Sequence, residues 1–181
     1  MGTKVVTGLV RFSYPQVFTA KSINGGAEKY SVTLLIPKTD KKTVKAIKAA
    51  INEAIENGIE SKWKGKKPAN LWNPLRDGDE EKDIEENPEY EGMYFVSCKS
   101  NQRPKIVDKD LQEILDPDEF YPGCWGRASI NFFPYNNTTN GVAAGLNNLQ
   151  KIKDDTRFGG SGSSAEEDFG DDFELDEDDD F

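Results

Sequence analysis

Residues 124–135 read Cys-Trp-Gly-Arg-Ala-Ser-Ile-Asn-Phe-Phe-Pro-Tyr. Successive side chains of an extended strand point to opposite faces, so this run divides into two sets. Cys124, Ala128, Ile130 and Phe132 share an apolar face suited to a core. Trp125, Arg127, Ser129, Asn131, Phe133 and Tyr135 share a face that mixes rings with polar groups. A strand of this kind belongs to a sheet with one face packed and the other offered to something else.

Further strands are expected on either side. Residues 4–12 (KVVTGLVRF) and 28–36 (EKYSVTLLI) are β-branched and aromatic runs separated by a turn-rich stretch around Asn24-Gly25-Gly26, the pattern of a long hairpin. Strand character returns at 92–100 (GMYFVSCKS), at 104–108 and from Gly141 to Leu146, with a continuation toward Ile152. Between the early strands, Val44, Ile47, Ile51, Ala54, Ile55 and Ile59 recur at spacings of three and four after Thr39 or Asp40 as the capping residue. That stripe predicts one amphipathic helix with Lys41, Lys42, Lys45 and Lys48 toward solvent. Residues 60–91 show no sustained period and read as a long functional loop. Several strands with a single inserted helix predict a mainly β domain, a five-stranded barrel of the OB type, over residues 1–158.

Charge is segregated along the chain. The 181 residues hold 23 basic and 33 acidic side chains, a net charge of −10. Eleven of the acids, and no Lys or Arg, lie between Gly159 and Phe181, which leaves the first 158 residues with 22 acids and all 23 bases. The body is nearly neutral, and its lysines are free to form positive patches that a polyanion would recognise. Residues 159–181 begin Gly-Gly-Ser-Gly-Ser-Ser and continue as acids punctuated by Phe169, Phe173, Leu175 and Phe181. Too little apolar area is available there to offset ordering entropy, so a disordered tail is expected.

Composition also narrows the chemistry. There is no histidine, which removes the commonest general base and every Ser/His/Asp or Cys/His arrangement. Cys98 and Cys124 lack metal-ligand spacing and read as small buried hydrophobes, so neither a cofactor nor a structural metal is expected. No run of about 18 apolar residues exists, and the N-terminal MGTKVVTGLV lacks the features of a secretory signal, which predicts a soluble intracellular protein.

Binding a single strand without sequence preference needs cations along the phosphates and ring faces under the bases. Trp125 and Arg127 offer both on the polar face of the opening strand, with Phe133 and Tyr135 further along it. In the loop, Lys62, Lys64, Lys66 and Lys67 surround Trp63, and Trp72 follows. Phe12 and Tyr14 end the first strand, while Lys99, Arg103 and Lys105 bracket a turn. Each ring has a plainer reading as core packing, and each lysine as a solvated face. Two rival functions use the acids instead. Asp77, Asp79, Glu80 and Glu81 suggest a magnesium-dependent nuclease, and the acidic tail suggests a DNA mimic acting on another protein.

The chain ends Asp178-Asp179-Asp180-Phe181, an aromatic ring and terminal carboxylate after a dense acidic stretch. This resembles the C-termini of bacterial and phage single-strand-binding proteins of replication. RFSYPQVF at 11–18, KYSVTLLIPK at 29–38, KGKKPAN at 64–70, PLRDGDEE at 74–81, YPGCWGRASINFFPY at 121–135 and GLNNLQKIKD at 145–154 extend the likeness to a family of phage single-stranded DNA-binding proteins. The resemblance implies an OB fold, weak sequence preference and a role in phage replication or recombination in the cytoplasm of the infected bacterial host. It also implies a tail that docks on replication or recombination enzymes and competes for the protein's own DNA groove.

Overall fold

The structure, a computed structural model, describes residues 2–22 and 26–158. Nine strands and two α-helices follow in chain order among the described residues. They are β1 (Lys4–Val6), β2 (Val10–Ser22), β3 (Glu28–Pro37), α1 (Lys41–Ser61), β4 (Leu71–Trp72), β5 (Arg76–Asp77), α2 (Gly78–Glu81), β6 (Met93–Ser100), β7 (Lys105–Val107), β8 (Trp125–Asn136) and β9 (Asn140–Lys153), with a 3-10 turn at Pro88–Tyr90.

Five of the strands close on themselves. β8 pairs with β2, β2 with β3, β3 with β6, β6 with β9 in parallel, and β9 returns to β8. Closure demands a stagger, and its size can be followed through the register. From Trp125 the path crosses to Arg11, Leu35 and Phe95. It then climbs three residues of β6 to Cys98, crosses to Ala144, descends three to Gly141 and meets β8 again at Tyr135. The return point lies ten residues beyond the start, so the strands are steeply tilted and the two ends of β8 lie in different parts of the surface. The expected OB-type barrel is present, with β1, β4, β5 and β7 as short additions to the ring.

Alternation holds along β8. Ala128, Ile130 and Phe132 are buried, whereas Arg127 and Phe133 are exposed. The inward residues meet Val32, Leu34 and Ile36 of β3, Val96 and Cys98 of β6, and the stripe Val44, Ile47, Ile51 and Ala54 of α1. Asp40 caps α1 by accepting the Thr43 amide at 3.1 Å. Both cysteines are free and buried, and burial pushes the Cys124 thiol up to about 11.

Several expectations change in detail. Residues 4–12 are not one strand, because the chain breaks at Thr7–Leu9, where Gly8 donates its amide to Thr43 Oγ1 at 2.9 Å and seats the start of α1. β2 instead runs on to Ser22 through a bulge between Ser13 and Gln16, where Tyr14 takes a φ of 48°. The loop 60–91 contains β4, β5, α2 and the 3-10 turn, elements too short to leave a periodic signal. Asn24 and Gly25 of the predicted turn, and the predicted tail 159–181 with Asp178, Asp179, Asp180 and Phe181, lie outside the described residues.

Two predictions test this architecture. An added Cβ at Gly126 would lie 1.8 Å from the Gln150 carbonyl oxygen, inside the closing β8–β9 pair. Gly126→Ala should therefore cost about 1–3 kcal/mol, read as a lower urea midpoint. Lys38 at the end of β3 holds Asp77 at 2.6 Å and Asp79 at 2.7 Å, pinning the inserted loop to the barrel. The Lys38 ammonium keeps both carboxyls below their ordinary value of 3.8, so their contribution is complete above that pH and is lost as pH falls through the lowered values. The stability difference between wild type and Lys38→Met should be constant near neutrality and vanish in strong acid. A difference that persists there would show that the pair is not its source.

Candidate nucleic-acid interface

The outward residues of β6 are Phe95, Ser97 and Lys99. Beside them β9 offers only the small Ala143 and Ala144, and beyond these stand Phe133 and Tyr135 of β8. The inserted loop raises a wall along one side of this floor. Its strand β4 runs parallel to β9 with Trp72 against Gly141, where an added Cβ would lie 2.6 Å from the Trp72 Cβ. A side chain at 141 would push that wall away. Pro74, Arg76 and Lys82 continue it, and Lys29 of β3 closes the far end. The result is an open cleft of about 880 Å³.

Rings and cations alternate around the cleft. The Arg76 guanidinium lies 4.1 Å from the Trp72 ring centre and covers one indole face, while Trp72 remains 51% exposed. Arg76 is oriented by donating Nε to Glu81 Oε1 at 2.9 Å. Lys82 Nζ sits 5.3 Å from the Phe95 ring and 5.2 Å from that of Tyr90. Phe133 is 43% exposed. Lys29, Lys82 and Lys99 form no ion pair among the described residues, so the four cations of the lining outweigh its one carboxylate, Glu81. The arrangement supplies a positive potential and free ring faces in one place, the two requirements of a single-strand groove.

The residues expected from sequence divide into groups. Trp72, Lys99, Phe133 and Tyr135 meet in the cleft. Lys62, Lys64, Lys66 and Lys67 are exposed beside its end, because Trp63 Nε1 donates to the Tyr135 carbonyl at 3.3 Å and Asn136 Nδ2 to that of Lys62 at 3.2 Å. Trp63 itself is 7% exposed, packed against Gly58 and Pro134, and Phe12 is fully buried against Phe120. Neither buried ring can offer a face to a base. Tyr14 is exposed at the β2 bulge, two strands from β6. Arg103 and Lys105 line a separate small hollow, with Arg103 5.6 Å from the Phe18 ring.

Trp125 and Arg127 are not beside the lysine loop. The stagger of the barrel carries them away from the cleft, and both are engaged: Arg127 Nε donates to the Thr7 carbonyl at 2.8 Å, and Trp125 Nε1 to Asp155 Oδ2 at 2.7 Å. The indole N–H and the Thr156 amide hold the Asp155 carboxyl below its ordinary range. Arg11 adds a hydrogen bond to the Thr156 carbonyl at 2.8 Å and lies 4.3 Å from the Phe158 ring. Trp125 thus anchors the segment from which residues 159–181 depart.

Sequence reading missed Lys29, Arg76, Lys82 and Phe95. Phe95 was accessible, since it shares the two-residue period of Lys99. Arg76 and Lys82 join the site only through the fold of the loop. Of the four acids weighed as a magnesium site, Asp77 and Asp79 are held by Lys38 and Glu81 by Arg76, which leaves only Glu80 without an ion pair among the described residues. Among the described residues no group of three or more metal-ligating side chains is assembled.

Comparison with known proteins follows the same line. The family model described as Enterobacter phage Enc34, ssDNA-binding protein, matches residues 3–181. Protein p50 of Acyrthosiphon pisum secondary endosymbiont phage 1 is 31% identical over 179 residues, covering 93% of each chain. The single-stranded DNA-binding protein from bacteriophage Enc34, solved in complex with ssDNA, superposes with a TM-score of 0.76 at 31% identity, over 87% of this chain and 90% of that one. The gp2.5 protein of bacteriophage T7 shares the fold, with a TM-score of 0.60 at 18% identity over 98% and 97% of the two chains. The match runs over nearly the whole chain, and the chain belongs to the family of the Enterobacter phage Enc34 ssDNA-binding protein.

Proposed function

We propose that this protein binds single-stranded DNA, largely without sequence preference, in the cleft between β6, the β8–β9 hairpin and the inserted loop. It acts by binding and catalyses no reaction. The observation that carries the reading is the convergence of Trp72, Phe95, Phe133 and Tyr135 with Lys29, Arg76, Lys82 and Lys99 on the barrel face that OB folds use for oligonucleotides. Rings accept any base, and ammonium groups accept any phosphate. The Enc34 protein, solved in complex with ssDNA, supports single-stranded DNA as the ligand. Lys62, Lys64, Lys66 and Lys67 extend the positive path beyond the Tyr135 end.

Residues 159–181 act, in this reading, as a tethered competitor. Eleven carboxylates resemble a run of phosphates, and a short tether rooted at Phe158 holds them at roughly millimolar local concentration near the cleft. DNA displaces them. Asp178, Asp179, Asp180 and Phe181 are then released to dock on replication or recombination enzymes in the cytoplasm of the infected host. The clamp of Trp125 and Arg11 on residues 155–158 fixes the root of this extension.

Intrinsic fluorescence separates the roles. Titration with an oligothymidine should quench Trp72 emission and leave Trp63 unchanged, so that Trp72→Phe abolishes most of the signal. Phe133→Ala and Tyr135→Ala should each weaken binding by about 1–3 kcal/mol. Lys99→Gln should weaken it for every sequence and lower the salt slope by about one. Arg127→Gln should change neither; unaltered affinity in the cleft variants would place the strand elsewhere. Deleting residues 159–181 should tighten binding most at low salt, where attraction between tail and groove is least screened. Equal affinity of the deleted and full chains at every salt concentration would remove the competitor role.

A further inference from the structure

A second basic surface lies outside the cleft. Lys41, Lys45 and Lys48 project from the first turns of α1 around a groove of about 400 Å³ whose floor is Val44 and Tyr94, and which Lys38, already held by Asp77 and Asp79, also lines. None of the three forms an ion pair among the described residues, and Lys48 Nζ stands 5.7 Å from the Tyr94 ring. The capping carboxylate of Asp40 offsets the positive end of the helix dipole, so the field of the groove comes from the lysines themselves. The groove combines three uncompensated cations with an apolar base. It is not a continuation of the DNA cleft, because β5 and α2 stand between them: Arg76 faces the cleft, whereas Asp77 and Asp79 face Lys38. A polyphosphate passing from one to the other would have to cross those carboxylates.

A surface of the opposite character occurs elsewhere on the same barrel. The chain after β7 turns back in a tight hairpin, with the Asp108 amide donating to the Gln112 carbonyl at 2.9 Å and that of Ile114 to Ile106 at 2.8 Å. Its tip presents Leu111, 71% exposed, and its exit presents Leu115, 66% exposed. Asp110 and Glu113 flank them without an ion pair among the described residues. Lys109 is exposed beside Asp110, and Arg103 and Lys105 line a hollow with Glu113 and Leu115, but within the hairpin Asp108, Asp110 and Glu113 outnumber its one lysine. Exposed leucines between carboxylates match an apolar groove between ammonium groups. Both surfaces are parts of one rigid barrel, so the match cannot be satisfied within a single copy. It can be satisfied between copies, and repeating such a contact between two different surfaces makes a head-to-tail ring or an open chain, not a two-fold dimer.

We propose that the Leu111 hairpin of one copy docks into the Lys41, Lys45, Lys48 groove of the next, aligning copies head to tail. Leu111 covers Val44 and Tyr94, and Asp110 and Glu113 meet the lysines. The contact by itself needs no DNA. Resting on the DNA-binding reading above, it also couples neighbours on one strand, since a bound copy presents a free hairpin and a free groove to the next.

Two measurements on the full-length protein test the contact, the first without DNA. Carbodiimide should join Asp110 or Glu113 to Lys41, Lys45 or Lys48 at low salt, and mixing isotope-labelled with unlabelled protein should place each such link between two copies. Links from these lysines to the acids of residues 166–180, or no link from them at all, would overturn the proposal. The second measurement compares a long oligothymidine with one that holds a single copy. Wild type should bind the long strand about tenfold more tightly per site, an ordinary size for coupling between sites. K41E/K45E/K48E, D110K/E113K and Leu111→Asn should each lose that advantage while keeping their shape by circular dichroism. Carrying both charge reversals on one chain should restore it. A combined variant as weak as its components would count against the contact, whereas failure of every form to bind the short strand would instead strike the cleft assignment and leave the cross-linking result to decide this one.

Discussion

The hydrogen-bonded closure of β9 onto β8, with β6 joining β9 in parallel, is the constraint from which the other features follow. A five-stranded ring with so large a stagger must tilt its strands steeply, and the inward side chains then interdigitate across a narrow interior. Close approach is part of the same requirement. At Gly126 the neighbouring carbonyl oxygen occupies the place a side chain would take, so closure depends on a residue with none. The stagger also separates Trp125 from Tyr135, giving one strand two unrelated outward tasks: anchoring the C-terminal segment and lining the cleft.

The inserted loop turns a barrel face into a site. Without β4, β5 and α2 the outward side of β6 would be an open slope bearing Phe95, Ser97 and Lys99. With them it becomes a walled channel in which Arg76 is stacked on Trp72 and aligned by Glu81. Ordering so many residues is costly in entropy, and the cost is met by specific contacts: Trp72 against Gly141, Lys38 with Asp77 and Asp79, and Tyr90 edge-on to Phe95 at 5.2 Å. Three acids of this loop fix cations: Asp77 and Asp79 hold Lys38, and Glu81 aligns Arg76 at the cleft.

Electrostatics works here by placement and not by total charge. A chain with a net charge of −10 presents a positive groove because eleven of its acids are gathered between residues 159 and 181 and the one carboxylate lining the groove, Glu81, is held by Arg76. The first turns of α1 are basic, and the hairpin after β7 carries more acids than bases, so charge is segregated within the barrel as well as between barrel and C-terminus.

The two-residue period of 124–135, the helical stripe of 44–59 and the split between a neutral body and an acidic end were legible in the sequence, because each depends on near neighbours in the chain. So was the membership of Trp72, Lys99, Phe133 and Tyr135 in an aromatic and basic set. What tertiary structure decided was which members of that set meet. Trp63 and Phe12 turned inward because Gly58 and Phe120 left space for them, Trp125 and Arg127 were carried off by the barrel's stagger, and Arg76 and Lys82 were brought in by a loop with no periodic signal. Periodicity reports which way a side chain points within its own strand or helix; it does not report the register between strands, and register sets the distance between groups far apart in the chain.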